Sequence, residues 1–492
     1  MGQMRLVIPR PERIVPQAVE QAYLAGAEGI PWECKTTAAG HSFIIERDAK
    51  ESGYLYFPWN VPGRGTVMLV SGSLMERAKP YHLTVELARG TLNRLRNQSC
   101  QWQSAGMTMS QQFLLLLRQA NTAFSLSATG QDDPLEAELH AERAIAIGLE
   151  AADLLASEYT RQVLAIRRSQ NAPLGTLLAA RLEGVPAGDL ADKFLAAFNS
   201  AIISPPWHEV QPQHGKYDWE LLDAQMEWCR AHNLRIICGP LMQFDRHWLP
   251  DWLFLDEDFE DVQASAVEFV EAVVMRYRGK VHLWNAAARM NQDGAFSYSE
   301  EQRLRLVVDS VDRVRNLDAR TPLIVSFDQP WAEYIARKDQ ELTPLHFADT
   351  LVRGELGLAG IGLEINYGYW PGGTLPRDPL EFSRQIDRWS QLGVPLVMFF
   401  TAPSSASADP LARQVGRQIP DLAPSLKPKW QRRLVESLLP LMLAKQTVQA
   451  LAWNQFQDDM PHGYPHGGLV DARGQPKLAL QTIVQLRKEM LG

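Results

Sequence analysis

The spacing of apolar positions changes twice along the chain. Up to about residue 100, short alternating or aromatic runs dominate, at 41–45, 54–57, 66–70 and 81–87, with Gly and Pro punctuation such as Val61-Pro62-Gly63-Arg64-Gly65 between them. Alternation with a period of two between turn residues predicts strands. Residues 1–100 therefore read as a β-rich, sandwich-like module of the carbohydrate-binding-module kind. From about 108 the spacing becomes helical, first through 110–117 and then, after Gly130-Gln131-Asp132-Asp133-Pro134, through about Arg168. Asp132 or Asp133 before Pro134 supplies an N-cap with Pro at the first helical position, and Leu135, Leu139, Ile145, Leu149, Leu154, Leu155, Tyr159 and Val163 keep to one face. This predicts a helical hairpin and linker over 101–172, with residues 169–175 as the connection.

After 173 short apolar runs alternate with amphipathic helices. Strands are expected at 177–180, 197–203, 235–240, 281–286, 323–327, 360–365, 395–400 and 450–454, and helices at 219–232, 262–278, 299–316, 380–392 and 428–445. Eight β-then-α units over 173–492 predict an α/β fold of the (β/α)8 TIM-barrel type, with an open doubly wound sheet as the alternative. In such a barrel the chemistry sits where strands run into the following loops.

Composition narrows the classes. With 492 residues, 46% hydrophobic and 22% charged, the chain has ample material for a core and is not a disordered sequence. A net charge of -8 argues against a general nucleic-acid binder. The apolar run at 113–117 is far short of the ~20 residues that cross a bilayer. The N-terminus carries Pro and charge where a signal peptide needs apolar residues, so the expectation is a cytoplasmic protein without a membrane partner. Cys34, Cys100, Cys229 and Cys238 lie far apart without C-x-x-C spacing and read as buried free thiols. Of the 14 Trp, Trp207, Trp248, Trp252, Trp284, Trp331, Trp370 and Trp453 fall at expected strand ends or in the loops just after them, where flat aromatic faces suit sugar rings.

The strand ends also carry motifs. Phe198-Asn199-Ser200, Trp207, Pro212, Gly215, Asp223, Gly239, Leu241, Pro250 and Trp252 follow in order, and the pattern continues at Trp284, Asp293-Gly294, Gly360-Ile361-Gly362-Leu363, Ala452-Trp453, Gly467-Gly468-Leu469 and Gln475-Pro476-Lys477-Leu478-Ala479. Over about 173–492 this resembles glycoside hydrolase family 10, the endo-β-1,4-xylanase family of clan A. The resemblance implies a poly- or oligosaccharide partner, no cofactor, and a retaining mechanism with two carboxyls ~5–5.5 Å apart. The family's acid/base is the Glu of a Trp-Asp-Val-Val-Asn-Glu motif ending strand four, and its nucleophile is the Glu of a Thr-Glu-Leu-Asp motif on strand seven.

Neither motif is present. The run after Trp284 is Asn285-Ala286-Ala287-Ala288-Arg289, with no Asp or Glu between Lys280 and Gln292, and none stands between Arg388 and Ala408. The family's subsite residues are also altered, with Pro206 for a Lys, Ile203 or a neighbour for an Asn, and Pro240 and Asp245 for histidines. Acids stand instead at other strand ends: Asp245 after strand three, Asp328 after strand five, Glu364 on strand six, and Asp458 with Asp459 after strand eight.

Two functions remain open. In one, Glu364 acts as a relocated catalytic carboxylate with Asp245, Asp328 or Asp458 as partner. In the other, Glu364 is ion-paired with Arg289, and the barrel is an inactive relative that binds a glycan or a protein partner. Trp207, Trp248, Asn285, Arg289, Tyr367, Trp370 and Trp453 are the substrate-binding candidates, with the loop 366–373 as a platform that exposes its aromatics. No metal site is expected: His462 and His466 are four apart, but Gly463 and Pro465 exclude a helix that would align them, and a loop site with Asp458 or Asp459 is the only route.

Overall fold

The eight apolar runs after residue 173 form eight parallel strands that close into a barrel in chain order: Leu177–Arg181, Ser200–Ile203, Arg235–Cys238, Leu283–Ala288, Leu323–Asp328, Gly360–Asn366, Leu396–Thr401 and Val448–Trp453. The computed structural model describes residues 2–48, 50–170, 173–255, 258–338, 340–370, 372–413, 417–418 and 428–491. Each expected strand is present with ends shifted by a few residues, and the helices Glu220–Ala231, Phe259–Tyr277, Glu300–Leu317, Pro379–Trp389 and Pro428–Ala444 follow the expected spans. The interior is filled by side chains from alternate positions, including Ala179, Ile202, Ile237, Leu283, Ile324, Val397, Phe399 and Ala450, so the barrel is a packed core and its functional surface is the mouth. Ser299 closes the start of its helix with a capping box, accepting from the Gln302 amide N–H.

The chain divides into two compact units. The barrel unit holds Asn171–Pro330, Leu342–Thr374 and Arg388–Gly492; the other holds Met1–Gln170, Trp331–Glu341 and Leu375–Asp387. Charge explains why two short segments from the barrel half of the sequence belong to the N-terminal unit. Arg377 is buried with its guanidinium 2.7 Å from Glu333, 3.1 Å from the Tyr23 hydroxyl and over the Trp331 ring. Arg337 donates to the carbonyls of Glu20, Ala22 and Cys34. The buried Arg377–Glu333 pair is costly to break, whereas the exposed Arg337 ties its segment in through hydrogen bonds to backbone carbonyls.

The N-terminal unit contains two four-stranded sheets over 2–82. Three helices follow, Leu83–Ser104, Gln111–Thr129 and Pro134–Gln170: the last two are the two helices expected over 110–168, and the first is unexpected, with residues 83–87 helical rather than strand. The run Leu83-Thr84-Val85-Glu86-Leu87 is buried on every side, and an all-buried run carries no periodicity to separate helix from strand. The helix it begins lies directly on the strand Gly65–Leu74: a Cβ at Gly90 would stand 1.9 Å from the Val70 carbonyl oxygen, so only glycine fits. The expected connection over 169–175 begins later, because the helix runs to Gln170; Asn171 and Ala172 lie outside the described residues. Cys34, Cys229 and Cys238 are buried as expected, whereas Cys100 is exposed. No helix among the described residues is long and apolar enough to cross a membrane.

Candidate functional site

At the C-terminal ends of barrel strands one to four and eight lies a cavity of about 720 Å³. Arg181 and Glu183 enter it from strand one, His208 and Glu209 from the loop after strand two, Gln243, Asp245 and Trp248 from the loop after strand three, Arg289 from strand four, and Asn454, His462 and Tyr464 from beyond strand eight. The volume is within the range of sites that take drug-sized or oligomeric ligands.

Arg289 forms its floor. The residue directly follows the fourth strand with φ +61°, a left-handed conformation that costs a non-glycine residue energy and needs its surroundings to hold it. Its guanidinium provides that hold. Nε donates to Glu364 Oε2 at 3.0 Å, Nη2 stands 2.9 Å from the same oxygen and also donates to the Tyr464 hydroxyl, and Nη1 is 3.7 Å from Asp245 Oδ2. Beneath the pair, Ser326 donates to Glu364 Oε1 at 3.4 Å and receives a hydrogen bond from Asn285 at 3.0 Å. Burial opposes the charge on Arg289, but Glu364, Tyr464, Asp328 and Asp245 outweigh it and keep the guanidinium charged well beyond its ordinary range.

Asp328 and Glu364 face each other across strands five and six in direct register, so their backbones are about 4.8 Å apart. Burial, aided by the Glu364 charge and opposed by Arg289, pushes the Asp328 carboxyl up to about 7. Both acids are sealed, at 2% and 3% exposure, and neither lines the main cavity. Asp328 reaches only a side pocket of about 50 Å³ shared with Asp245 and Arg289. The two carboxyls are neighbours, and Arg289, not either acid, lines the main cavity.

Glu183 and Arg181 are residues that sequence reasoning passes over. The signal was a charged pair directly after the apolar run of strand one, in Arg181-Leu182-Glu183. Glu183 accepts hydrogen bonds from the backbone N–H groups of Phe456 and Gln457 at 3.2 Å each. Burial nevertheless dominates and raises its carboxyl from 4.5 to about 8. The folded state therefore keeps a proton that the unfolded chain releases between those values, so this group's contribution makes the fold less stable as pH rises from about 4.5 to about 8, and constant above. The melting temperature of wild type should fall more between pH 5 and pH 9 than that of Glu183→Gln; equal falls would show that Glu183 ionises normally.

The other expected site residues are dispersed. Asp245, Trp248 and Arg289 line the cavity. Asp458 does not: its carboxylate is 2.5 Å from Lys477 Nζ and accepts from Gln455 and the Gly468 N–H at 2.7 Å each, which makes it the clamp of the loop after strand eight. Trp207 is buried against Phe269 with its N–H on Gln211, and Trp453 is buried with its N–H on the Gly467 carbonyl. Asn285 lies under Glu364 rather than at the surface. Tyr367 is fully buried edge-on to Phe400, so the loop 366–373 does not expose it. Trp370 is half-buried in a short strand paired with Arg417–Gln418 and is absent from the cavity lining; Pro371 lies outside the described residues. Trp207 and Trp453 turn inward because the apolar layer between barrel and helices buries more of their surface than the mouth does. His462 and His466 do come together, on Asp409: His462 Nε2 is 3.0 Å from its carboxylate, and the His466 N–H donates to it at 2.8 Å. No group of three or more metal-ligating side chains is found among the described residues.

The strand order and the position of the cavity define a (β/α)8 barrel with its functional face at the C-terminal strand ends. Comparison with known proteins adds a resemblance in sequence. A family model described as glycosyl hydrolase family 10 matches residues 193–304, which takes in strands two to four and Arg289. Endo-1,4-beta-xylanase C of Paenibacillus barcinonensis is 27% identical over 92 residues, 17% of this chain and 8% of that protein. Endo-1,4-beta-xylanase A of Halalkalibacterium halodurans is 25% identical over 130 residues, 23% of this chain and 32% of that protein. The matches thus span a third or less of these curated relatives. Among solved structures, native xylanase 10B from Thermotoga maritima aligns with a TM-score of 0.49 at 16% identity, covering 66% of this chain and 98% of that one.

Proposed function

We propose that the barrel binds a poly- or oligosaccharide in the mouth cavity and does not hydrolyse it through the carboxylate pair that family 10 uses. The observation that carries this reading is Arg289. A guanidinium follows strand four, where the resemblance places the acid/base at Arg289 when counted from Trp284 and at Ala288 when counted back from Asp293-Gly294, and it is ion-paired with the buried Glu364. A retaining glycosidase needs one protonated and one ionised carboxyl on opposite sides of the anomeric carbon. Here the strand-seven run Leu396–Thr401 supplies no acid, and Glu364 is spent on Arg289.

One observation favours a second reading, hydrolysis through relocated acids: Glu183 is a protonated carboxyl on the cavity wall at neutral pH, and Asp245 lines the same cavity. Two carboxyls in unlike environments are the usual basis for dividing acid and base roles. Against it, Glu183 already accepts two backbone hydrogen bonds that hold it on the wall.

Affinity electrophoresis in gels containing xylan and related polysaccharides tests the binding reading. Wild type should be retarded, and Trp248→Ala, which removes the tryptophan lining the cavity, should weaken retardation about tenfold, equivalent to about 1.4 kcal/mol. Free migration of wild type through every polysaccharide tested would refute it.

A further inference from the structure

The cavity contains one arginine whose side chain has no hydrogen-bond or ion-pair partner among the described residues. Arg181, the last residue of the first barrel strand, lines the cavity and makes no hydrogen bond or ion pair among the described residues; its Nε is sealed from solvent without a partner. The other cavity arginines are all engaged: Arg289 with Glu364 at 2.9 Å, Arg413 with Glu209 at 2.8 Å, and Arg246 with Asp251 at 3.2 Å. The nearby acids are also committed, Glu364 to Arg289 and Glu183 to the N–H groups of Phe456 and Gln457. Burial lowers the pKa of the half-buried Arg181, opposed through space by Glu364, Tyr464 and Glu183.

A cation in that position costs stability unless something pairs with it, and a guanidinium fork suits a planar or tetrahedral oxyanion. We infer that Arg181 recognises an anionic substituent on the bound saccharide, a uronic-acid carboxylate or a sulfate ester. The inference rests on the saccharide-binding reading of the same cavity and narrows it to acidic glycans. Glu183 fits this assignment, because a protonated carboxyl beside Arg181 neither competes for the guanidinium nor repels the ligand's anion.

Calorimetric titration of full-length protein with a uronic-acid oligosaccharide, its carboxyl-reduced counterpart and a sulfated oligosaccharide tests it. Wild type should bind at least one acidic ligand at least tenfold more tightly than the neutral one, and whichever it is names the group. Inorganic sulfate should compete with that ligand more strongly than with the neutral one. In Arg181→Gln the acidic-to-neutral ratio should fall to about one. Should that variant fail to fold, Arg181→Lys, which keeps the charge but loses the fork, should reduce the ratio, and the sulfate competition on wild type stands by itself. Equal affinities for acidic and neutral ligands in wild type, or a preference that survives in the variants, would overturn the inference and leave saccharide binding intact. Absence of binding to all three would overturn the reading beneath it.

Discussion

Replacing Arg289 by Met is expected to cost on the order of 3–5 kcal/mol and to lower the melting temperature by roughly 10 °C. Glu364 is 3% exposed, and its other hydrogen-bond partner is the neutral hydroxyl of Ser326, so losing the guanidinium leaves a buried carboxylate without its hydrogen-bonded counter-charge, with Arg181 acting on it only through space. The cost should come mainly from that stranded charge. Arg289→Met combined with Glu364→Gln should therefore recover most of the loss, a coupling of about 2 kcal/mol or more in a double-mutant cycle. Thermal unfolding followed by circular dichroism on the four proteins measures it. A cost below about 1 kcal/mol, with additive mutants, would mean that Glu364 can take up a proton or reach solvent, which would return it to the list of available acids.

The second large effect is expected at Lys477. Its ammonium and Asp458 form a buried pair, at 8% and 3% side-chain exposure, and Asp458 in turn accepts from Gln455 and Gly468. Burial already lowers the Lys477 pKa while Asp458 opposes that change. Lys477→Met should destabilise the protein by about 3–5 kcal/mol, and Asp458→Asn by less, because an amide oxygen still accepts from Gly468. Retardation by polysaccharide, compared at temperatures where each variant is folded, should stay near wild type for Asp458→Asn. A variant that keeps its melting temperature but loses retardation would place Asp458 in the binding site instead of in the loop clamp.

The barrel is legible in the sequence because its strands are short apolar runs set between amphipathic helices, two patterns that cannot be exchanged. The helix beginning at Leu83 is not legible, since a run buried on all sides looks the same in either state. Arg289 and Glu364 can be singled out as lone charges at the ends of apolar strands, and their pairing follows from the barrel's closure. The cavity wall is harder to read. Whether Trp207 or Trp453 faces a ligand depends on which side of a strand end its side chain leaves, and a rotation of one residue moves it from the mouth to the packing layer. Arg181 and Glu183 are ordinary charged residues in the chain; only the cavity around them shows that the Arg181 side chain lacks a partner among the described residues and that burial pushes the Glu183 carboxyl up.

Incubation of a neutral β-1,4-linked xylo-oligosaccharide with wild-type protein at saturating concentration, followed by chromatography of the recovered ligand, tests the central claim most directly. The expected result is saturable binding with the ligand recovered at its original length. Shorter products that disappear in Glu183→Gln or Glu364→Gln would contradict it and establish catalysis through relocated carboxyls.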